Sequence, residues 1–496
     1  MGSFGGHFGV DLGSIWGRFR VGFWTPENPN PNPSNPLRHR TRKKHAFLHS
    51  RNTTSLIHLT LALEHPPNII PPSPWSNSTA MQHGTTHKGQ PPMATLTGNA
   101  IVGQSGGPTA VINQSLVGVI EEAKKAAHIE QLFGARHGVH GIINENFVHL
   151  KNAPDALLAR IAQTPAAALG STRDKPDETY CRSIFQIFEK YNIRHFFYIG
   201  GNDSADTARI INDLAKNAGY QLRTIHIPKT IDNDLRVHDH TPGYGSAARF
   251  VAAAMIGENY DNASLPGIKV SIIMGRHAGF LTAASALARR RETDGPHLIY
   301  VPEAPLSQDK FLADVDRVYS KLGRCLIALS EGVCAPDGKA WAEKMAENIE
   351  QDSHGNIQLS GSGALGDFFA DMIKKKLPSS SGKKLRIRAD TYGYLQRSFP
   401  GFCSKVDAAE ARLVGQMAVK YSAEANVDGS VAMRRLDGDT YQIEIFLTPL
   451  ETVARVTRHM PPEFIADGND ITKAFISYAR PLVGPLPSVG SFDELR

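Results

Sequence analysis

The chain has 496 residues, enough for two or three domains with sizeable cores, and a formal net charge of +6. That charge is unevenly placed: residues 1–92 hold nine Lys/Arg against three Asp/Glu, and the remainder holds 45 of each, so the body has no general electrostatic pull towards nucleic acid or membrane. The four cysteines, Cys181, Cys325, Cys334 and Cys403, lack C-x-x-C spacing, which argues against zinc and against a disulfide framework.

Residues 1–92 contain 12 of the 31 prolines and 8 of the 20 histidines. They carry no hydrophobic periodicity and are expected to be a disordered extension. Within them Arg38–Lys44 (RHRTRKK) reads either as a nuclear or nucleic-acid patch or, more plainly, as a solvated charge run. The apolar stretch Ser55–Leu63 is interrupted by His58 and Thr60 and has no basic segment followed by a cleavage-like site. A membrane span of roughly 18–20 residues and a secretory signal are therefore not expected, and a cytoplasmic enzyme is. Met93 opens MATLTGNAIVGQSGG and is expected to start the enzyme proper, with the upstream residues a dispensable extension or a mis-assigned start.

From about Leu96 the pattern becomes strand, loop, helix. A strand over Asn99–Gly103 leads into a helix from about Ala110 to Ala127. Arg194–Ile199 leads through GGNDS into a helix over Ala205–Ala218, with Ser204 as its N-cap, and Leu222–Ile227 is the next strand. Lys269–Ile273 leads through MGRHAG into an Ala-rich helix over Leu281–Arg290. Leu298–Val301, Arg324–Leu329 and Leu385–Ala389 predict short strands, Phe311–Leu322 and Gly366–Leu377 predict helices, and Pro378–Lys384 predicts a surface loop. Strands alternating with helices imply an α/β fold of two doubly wound lobes with mainly parallel sheets, the active site lying in the cleft between them.

The loops at the carboxyl ends of these strands carry the chemistry, as α/β sheets place ligands there. In Gly103–Pro108 (GQSGGP), Gly106 and Gly107 allow phosphate close to backbone N–H groups, although an ordinary strand-to-helix turn has the same composition. The loop is neither a P-loop nor a dinucleotide fingerprint. In Ile199–Thr207 (IGGNDSADT), Gly200 and Gly201 permit a tight turn beside the oxygens of Asn202 and Asp203; capping chemistry alone gives a similar string. In Pro228–Asp234 (PKTIDND), Asp232 and Asp234 flank Asn233, and alternate residues of an extended loop share a face. One carboxylate can act as general base while the other supports a metal shell. Lys229 is placed to supply positive charge to a transferring phosphoryl group, or is simply an exposed loop lysine. Arg276 in MGRHAG can clamp a phosphate or a sugar hydroxyl, and His277 is read as structural because Asp232 fills the base role. Glu331 in LSEG can accept hydrogen bonds from sugar hydroxyls. Arg388, Tyr394 and Arg397 in RADTYGYLQRS suit a sugar phosphate, though each arginine alone is equally a satisfied surface group.

The ordered set GQSGGPT, LGSTR, GGNDS, PKTIDND, MGRHAG, SEG and YGYLQRS, spanning Ile101–Ser398, resembles the phosphofructokinase family. Asp203 and Lys229 stand where ATP-using members carry glycines, so the chain looks like the pyrophosphate-dependent branch. A carboxylate at the position of an ATP α-phosphate repels it by roughly 4 kcal/mol at ~4 Å and an effective dielectric of ~20, on the order of a thousandfold in affinity. The resemblance implies Asp232 as the base for the 1-hydroxyl of fructose 6-phosphate, with Lys229 and Asp203 completing the catalytic set. It implies a sugar-phosphate site of Thr230, Ile231, Met274, Gly275, Arg276, Glu331, Tyr394 and Arg397. Gly106, Gly107, Arg173 and Gly201 would hold the donor. Arg388 and Lys269 match basic positions that reach a neighbouring subunit's 6-phosphate, implying a homodimer or higher homo-oligomer with shared sites. Asn202 stands where an aspartate associated with Mg²⁺ is usual, which shifts metal binding towards Asp232, Asp234, water and pyrophosphate.

The expected activity is Mg²⁺-dependent, reversible transfer from pyrophosphate to fructose 6-phosphate, with no nucleic-acid or membrane partner. An ATP-dependent phosphofructokinase and a non-catalytic regulatory subunit are the alternatives. The expected domains are 1–92 as an extension, 93–240 as the first lobe completed by about 398–460, and 241–397 as the second completed by about 461–496.

Overall fold

The computed structural model describes residues 95–345, 363–377, 385–424, 427–438 and 440–492. The extension 1–92, the cluster Arg38–Lys44, Met93 and the loop Pro378–Lys384 lie outside the described residues. The principal strands are β1 (Gly98–Gln104), β2 (Ile129–Ala135), β3 (Phe147–His149), β4 (Ile193–Gly200), β5 (Arg223–Pro228), β6 (Ile268–Ile273), β7 (Leu298–Tyr300), β8 (Cys325–Ser330), β9 (Ile387–Thr391), β10 (Gly429–Arg435) and β11 (Ile443–Thr448). They form two sheets. One has the order β11-β10-β5-β4-β1-β2-β3, and the other β7-β8-β6-β9. Every pairing is parallel except those of β2 with β3 and β10 with β11. The expected α/β class with mainly parallel sheets is borne out.

The strands are near-continuous apolar runs because both faces are covered. In β4, β5 and β6 all but the first or second residue are buried, and in β8 every residue is, the signature of parallel strands under helices on both sides. In the larger sheet the chain leaves β1 towards β2 on one side and returns to β4 on the other. This is a topological switch point, where the carboxyl ends of neighbouring strands open a crevice.

Residues remote in sequence complete this sheet. β10 pairs with β5 in parallel, and the helix Lys405–Ala423 packs on the helix Ile112–Lys125. The packing is backbone to backbone: a Cβ on Gly118 would lie 2.1 Å from the Arg412 carbonyl oxygen, and one on Gly415 2.1 Å from that of Ser115. Arg412 closes the contact through Glu121 and Gln114. Around the smaller sheet, Phe311, Phe369, Tyr300 and Trp341 form an aromatic core. The helix Tyr244–Ser264 buries residues around its circumference, and its amino end is capped by another helix: Asp407 accepts from the N–H groups of Gly243 and Ser246, both at 2.8 Å.

Two expectations need correction. Ser204 is not an N-cap; the helix begins at Asn202 with Gly201 as its cap, and Ser204 is buried in the first turn. An added Cβ on Gly200 would meet Ser204 Oγ at 1.9 Å, so it is the Gly-Gly turn that lets the helix start three residues sooner. The Ala-rich segment after MGRHAG is a four-residue α-turn, Phe280–Ala283, continuing as a 3₁₀ turn over Ala284–Ala288. Its residues are all buried, so packing overrides alanine's helical preference.

Gly415→Ala is expected to lower stability by about 1–3 kcal/mol, because the added methyl meets backbone rather than a side chain that can move aside. Thermal or denaturant unfolding of the variant against the parent measures it. An unchanged midpoint would mean that the two helices separate at no cost.

Candidate active site

Six strand ends converge on one cleft. Its lining includes Ser105–Pro108 after β1, Gly201–Ser204 after β4, Lys229–Asp232 and Asp234 after β5, Met274, Arg276 and His277 after β6, Glu331 after β8, and Arg397 after β9. The segment Thr172–Lys175 forms a further wall.

The loop after β1 is shaped around a lysine. Gly106 has φ of +75°, and a Cβ there would stand 3.0 Å from Lys229 Nζ. Glycine thus leaves room for Lys229, 4% exposed, to donate to the Gly107 carbonyl at 2.7 Å. The Gly106 N–H donates to the Thr172 carbonyl at 2.8 Å, so this residue offers a ligand close approach rather than its own hydrogen bond. Lys229 N donates to the Gly200 carbonyl at 2.9 Å, which stitches the loop after β5 to the one after β4.

The acidic loop is a turn rather than an extended strand. Asn233 has φ of +59°, and the carboxylates of Asp232 and Asp234 both reach the cleft. The turn is held from behind. Asn233 Nδ2 donates to Tyr478 Oη at 2.7 Å, and its Oδ1 accepts from Thr241 N at 3.1 Å. Arg458 donates from its guanidinium to the Asn233 carbonyl at 3.0 Å and from its backbone N–H to the Asp234 carbonyl at 2.7 Å. Asp232 N donates to Thr230 Oγ1 at 3.1 Å, while Asp232 Oδ1 is buried without a hydrogen-bond partner.

On the opposite wall, Met274 N donates to Gln396 Oε1 at 3.2 Å, and Ser330 Oγ donates to the Gly275 carbonyl at 2.6 Å. Gly275 has φ of +134°; its N–H lies 3.4 Å from Glu331 Oε1, so it shapes the wall from behind. Arg397 stacks on Tyr394, with 4.4 Å from guanidinium carbon to ring centroid.

Tyr394 itself is 46% exposed and lies outside the residues lining the cleft. Lys269 and Arg388, register partners on β6 and β9, line a separate surface pocket with Arg386 and Asp390. The structure therefore gathers Gly106, Gly107, Arg173, Gly201, Asn202, Asp203, Lys229, Thr230, Ile231, Asp232, Met274, Arg276, Glu331 and Arg397 at one place, and sets Tyr394, Lys269 and Arg388 apart from it. Sequence reasoning missed Lys175, 3.2 Å from Asp203, and the supports Gln396, Arg458 and Tyr478. The only signal for Lys175 was its adjacency to LGSTR.

Enclosure by protein shapes the proton affinities. Burial lowers Lys229 to about 7, with Arg397 adding to the effect. Burial raises Asp232, against the pull of Arg397 and Arg276, and raises Asp234 to about 7, with the charge of Asp232 adding to it. A cleft with a neutralisable lysine, two carboxylates of raised proton affinity and three arginines suits an anionic ligand and proton transfer.

The phosphofructokinase family profile matches residues 99–422. The chain belongs to the phosphofructokinase family. The resemblance drawn from GGNDS, PKTIDND and MGRHAG is borne out. Among phosphofructokinases, the pyrophosphate–fructose 6-phosphate 1-phosphotransferase of Rhodospirillum rubrum is 53% identical over 388 residues, covering 78% of this chain and 94% of that one. The enzyme of the same description from Xanthomonas campestris is 36% identical over 409 residues, 80% of this chain and 94% of that one. Among solved structures, the pyrophosphate-dependent phosphofructokinase of Marinobacter aquaeolei aligns with a TM-score of 0.69 at 30% identity, over 80% of this chain and 94% of that one. That of Nitrosospira multiformis aligns at 0.67 and 33% identity, with the same coverage.

An anion in this phosphofructokinase cleft stabilises the protonated forms of Lys229, Asp232 and Asp234 alike. At pH 8, where a lysine of pKa about 7 is mostly neutral, sulfate binding is expected to take up protons, on the order of one per site. Calorimetry in two buffers of different ionisation enthalpy counts them; zero uptake would contradict the depressed lysine.

Proposed function

We propose that the chain catalyses reversible phosphoryl transfer from pyrophosphate to the 1-hydroxyl of fructose 6-phosphate, giving fructose 1,6-bisphosphate and phosphate. The observation that carries this reading is Asp232. Its Oδ1 is buried without a partner and its proton affinity is raised by burial, the combination a general base needs. The hydroxyl proton passes to Asp232 as the 1-oxygen attacks phosphorus and phosphate departs. Lys229, fixed on the Gly107 carbonyl, gains its proton as anionic charge collects beside it and stabilises that charge during transfer. Arg276, Glu331 and Arg397 orient the sugar phosphate, with Thr230, Ile231 and Met274 shaping its seat. Arg173 and the Gly106–Gly107 and Gly201 turns receive the donor, and Asp203 limits the donor's length.

Magnesium fits this donor set in one form only. Among the described residues no cluster of three or more His, Cys, Asp or Glu could hold a metal by itself, and Asn202 Oδ1 already accepts from Asp203 N at 2.8 Å. Hard oxygen donors with one or two protein ligands suit Mg²⁺, which keeps several waters and shares substrate phosphates. Asp234 and Asn202 are the residues that would hold it. When bound with pyrophosphate, the ion would neutralise phosphoryl oxygens.

The placement of Lys269 and Arg388 on a separate surface favours a homo-oligomer in which these groups complete a neighbouring subunit's sugar-phosphate site. We further read the first lobe as 93–240 completed by about 398–460 and the second as 241–397 completed by about 461–496. Support comes from β10 and β11, which join the sheet of β1, β4 and β5. Among the described residues no helix is long and apolar enough to cross a membrane, in keeping with a cytoplasmic enzyme.

A coupled assay of the purified protein with Mg²⁺ and fructose 6-phosphate, comparing pyrophosphate with ATP, tests the function. Turnover with pyrophosphate is expected, and turnover with ATP alone would sink the donor assignment. Asp232→Ala should lower kcat by about 10²–10⁴-fold without lowering the thermal midpoint. A near-normal rate would remove Asp232 from the base role.

A further inference from the structure

The charge at the donor end of the cleft is not that of a lone carboxylate. Asp203 Oδ2 lies 3.2 Å from Lys175 Nζ, and both side chains are about half exposed, at 58% and 47%. They come from different segments of the lining. Asp203 stands in the first turn of the helix Asn202–Asn217. Lys175 follows a segment pinned to the glycine loop, where Gly106 N donates to the Thr172 carbonyl at 2.8 Å and Ser171 Oγ donates to the Gly106 carbonyl at 2.6 Å. That segment is braced again where Asp174 N donates to Thr172 Oγ1 at 3.1 Å and Tyr180 Oη donates to Asp174 Oδ2 at 2.9 Å. Lys175 thus follows a braced segment and Asp203 belongs to a regular helix, so the ion pair joins two ordered parts of the lining.

An ion pair this exposed contributes little to stability, so the fold does not account for it. Its consequence is local. Unpaired, Asp203 would oppose any polyanion in the cleft, pyrophosphate included. Paired, its charge is cancelled and Lys175 joins Arg173 and Lys229 as a third cation lining the donor end. With its charge cancelled, the bridge would act on a longer donor by obstruction, since both side chains line the cleft.

We propose that Lys175 is a specificity-determining residue of the donor site. It pairs with Asp203 to close the pocket behind two phosphates, and turns its ammonium to the distal phosphate when the donor is an inorganic diphosphate. This rests on the pyrophosphate reading above and adds to it a residue that acts partly through Asp203.

Steady-state kinetics of the full chain test it, using the parent, Lys175→Met, Lys175→Arg, Asp203→Asn and the Lys175→Met/Asp203→Asn double variant. Lys175→Met should raise KM for pyrophosphate by about tenfold or more while KM for fructose 6-phosphate stays within about twofold. Lys175→Arg should restore most of the loss, which a purely structural role would not predict. In the Asp203→Asn background the same lysine change should cost distinctly less, because no carboxylate is left uncompensated. An unchanged KM for pyrophosphate in Lys175→Met, or an equal loss in both backgrounds, would overturn the proposal while leaving the parent's turnover with pyrophosphate intact. A parent that turns over ATP and not pyrophosphate would instead overturn the donor reading, and this inference with it.

Discussion

Everything in this cleft depends on keeping Lys229, Asp232 and Asp234 together in a place where water cannot solvate them fully. Buried charges are tolerated only when paired or neutralised, and here neither is complete. Lys229 keeps one carbonyl, Asp232 keeps an oxygen without a partner, and Asp234 sits beside a like charge. The three groups thus leave an electrostatic imbalance among themselves. A bound polyanion and a sugar phosphate would relieve it by adding the charges and donors that are missing. An affinity for anions follows from that incomplete pairing.

The rest of the structure holds that imbalance in place. Asn233 takes a left-handed backbone conformation between the two carboxylates, and Tyr478, Thr241 and Arg458 fix it. Behind Tyr478 a buried charged group continues the support. His240 lies between Asp239 and Glu410, 2.7 Å from each, and is raised to about 9 despite burial by those carboxylates. Tyr441 Oη donates to Glu410 Oε1 at 2.6 Å. The acidic turn therefore leans on a salt-bridged and hydrogen-bonded block rather than on apolar packing alone, which suits a loop that holds two carboxylates at fixed positions.

Much of this was legible in the chain because parallel strands buried on both faces are runs of Ile, Phe, Val and Leu, and the loops after them abruptly change composition. β4 and β5 differ from the expected Arg194–Ile199 and Leu222–Ile227 by one residue at each end. The Gly-rich, Asp-rich and Arg-containing loops stood out for the same reason. Ser204 misled because a serine after Gly-Gly-Asn-Asp has capping chemistry, while the start of the helix was decided by how closely the chain could turn at Gly200. The contributions of Lys175, Gln396, Arg458 and Tyr478 were not legible. Lys175, Arg458 and Tyr478 are ordinary residues in their own neighbourhoods, and Gln396 is overshadowed by Tyr394 and Arg397 within YGYLQRS; each acquires meaning only from what the fold brings against it. Tyr394 shows the converse: its motif was conspicuous, yet its ring serves as a platform for Arg397 instead of lining the cleft.

The long reach of these supports has a consequence for how the protein is made. Asn233 is tied to Tyr478 across 245 residues and to Arg458 across 225. At synthesis rates of about 5–20 residues per second, the acidic turn waits on the ribosome for roughly 10–50 s before its anchors exist. During that interval β5 also lacks β10 as its edge partner and exposes an apolar strand to pairing with other chains. The acidic turn therefore gains its full set of anchors only after the helix Lys473–Val483, which carries Tyr478, has been made.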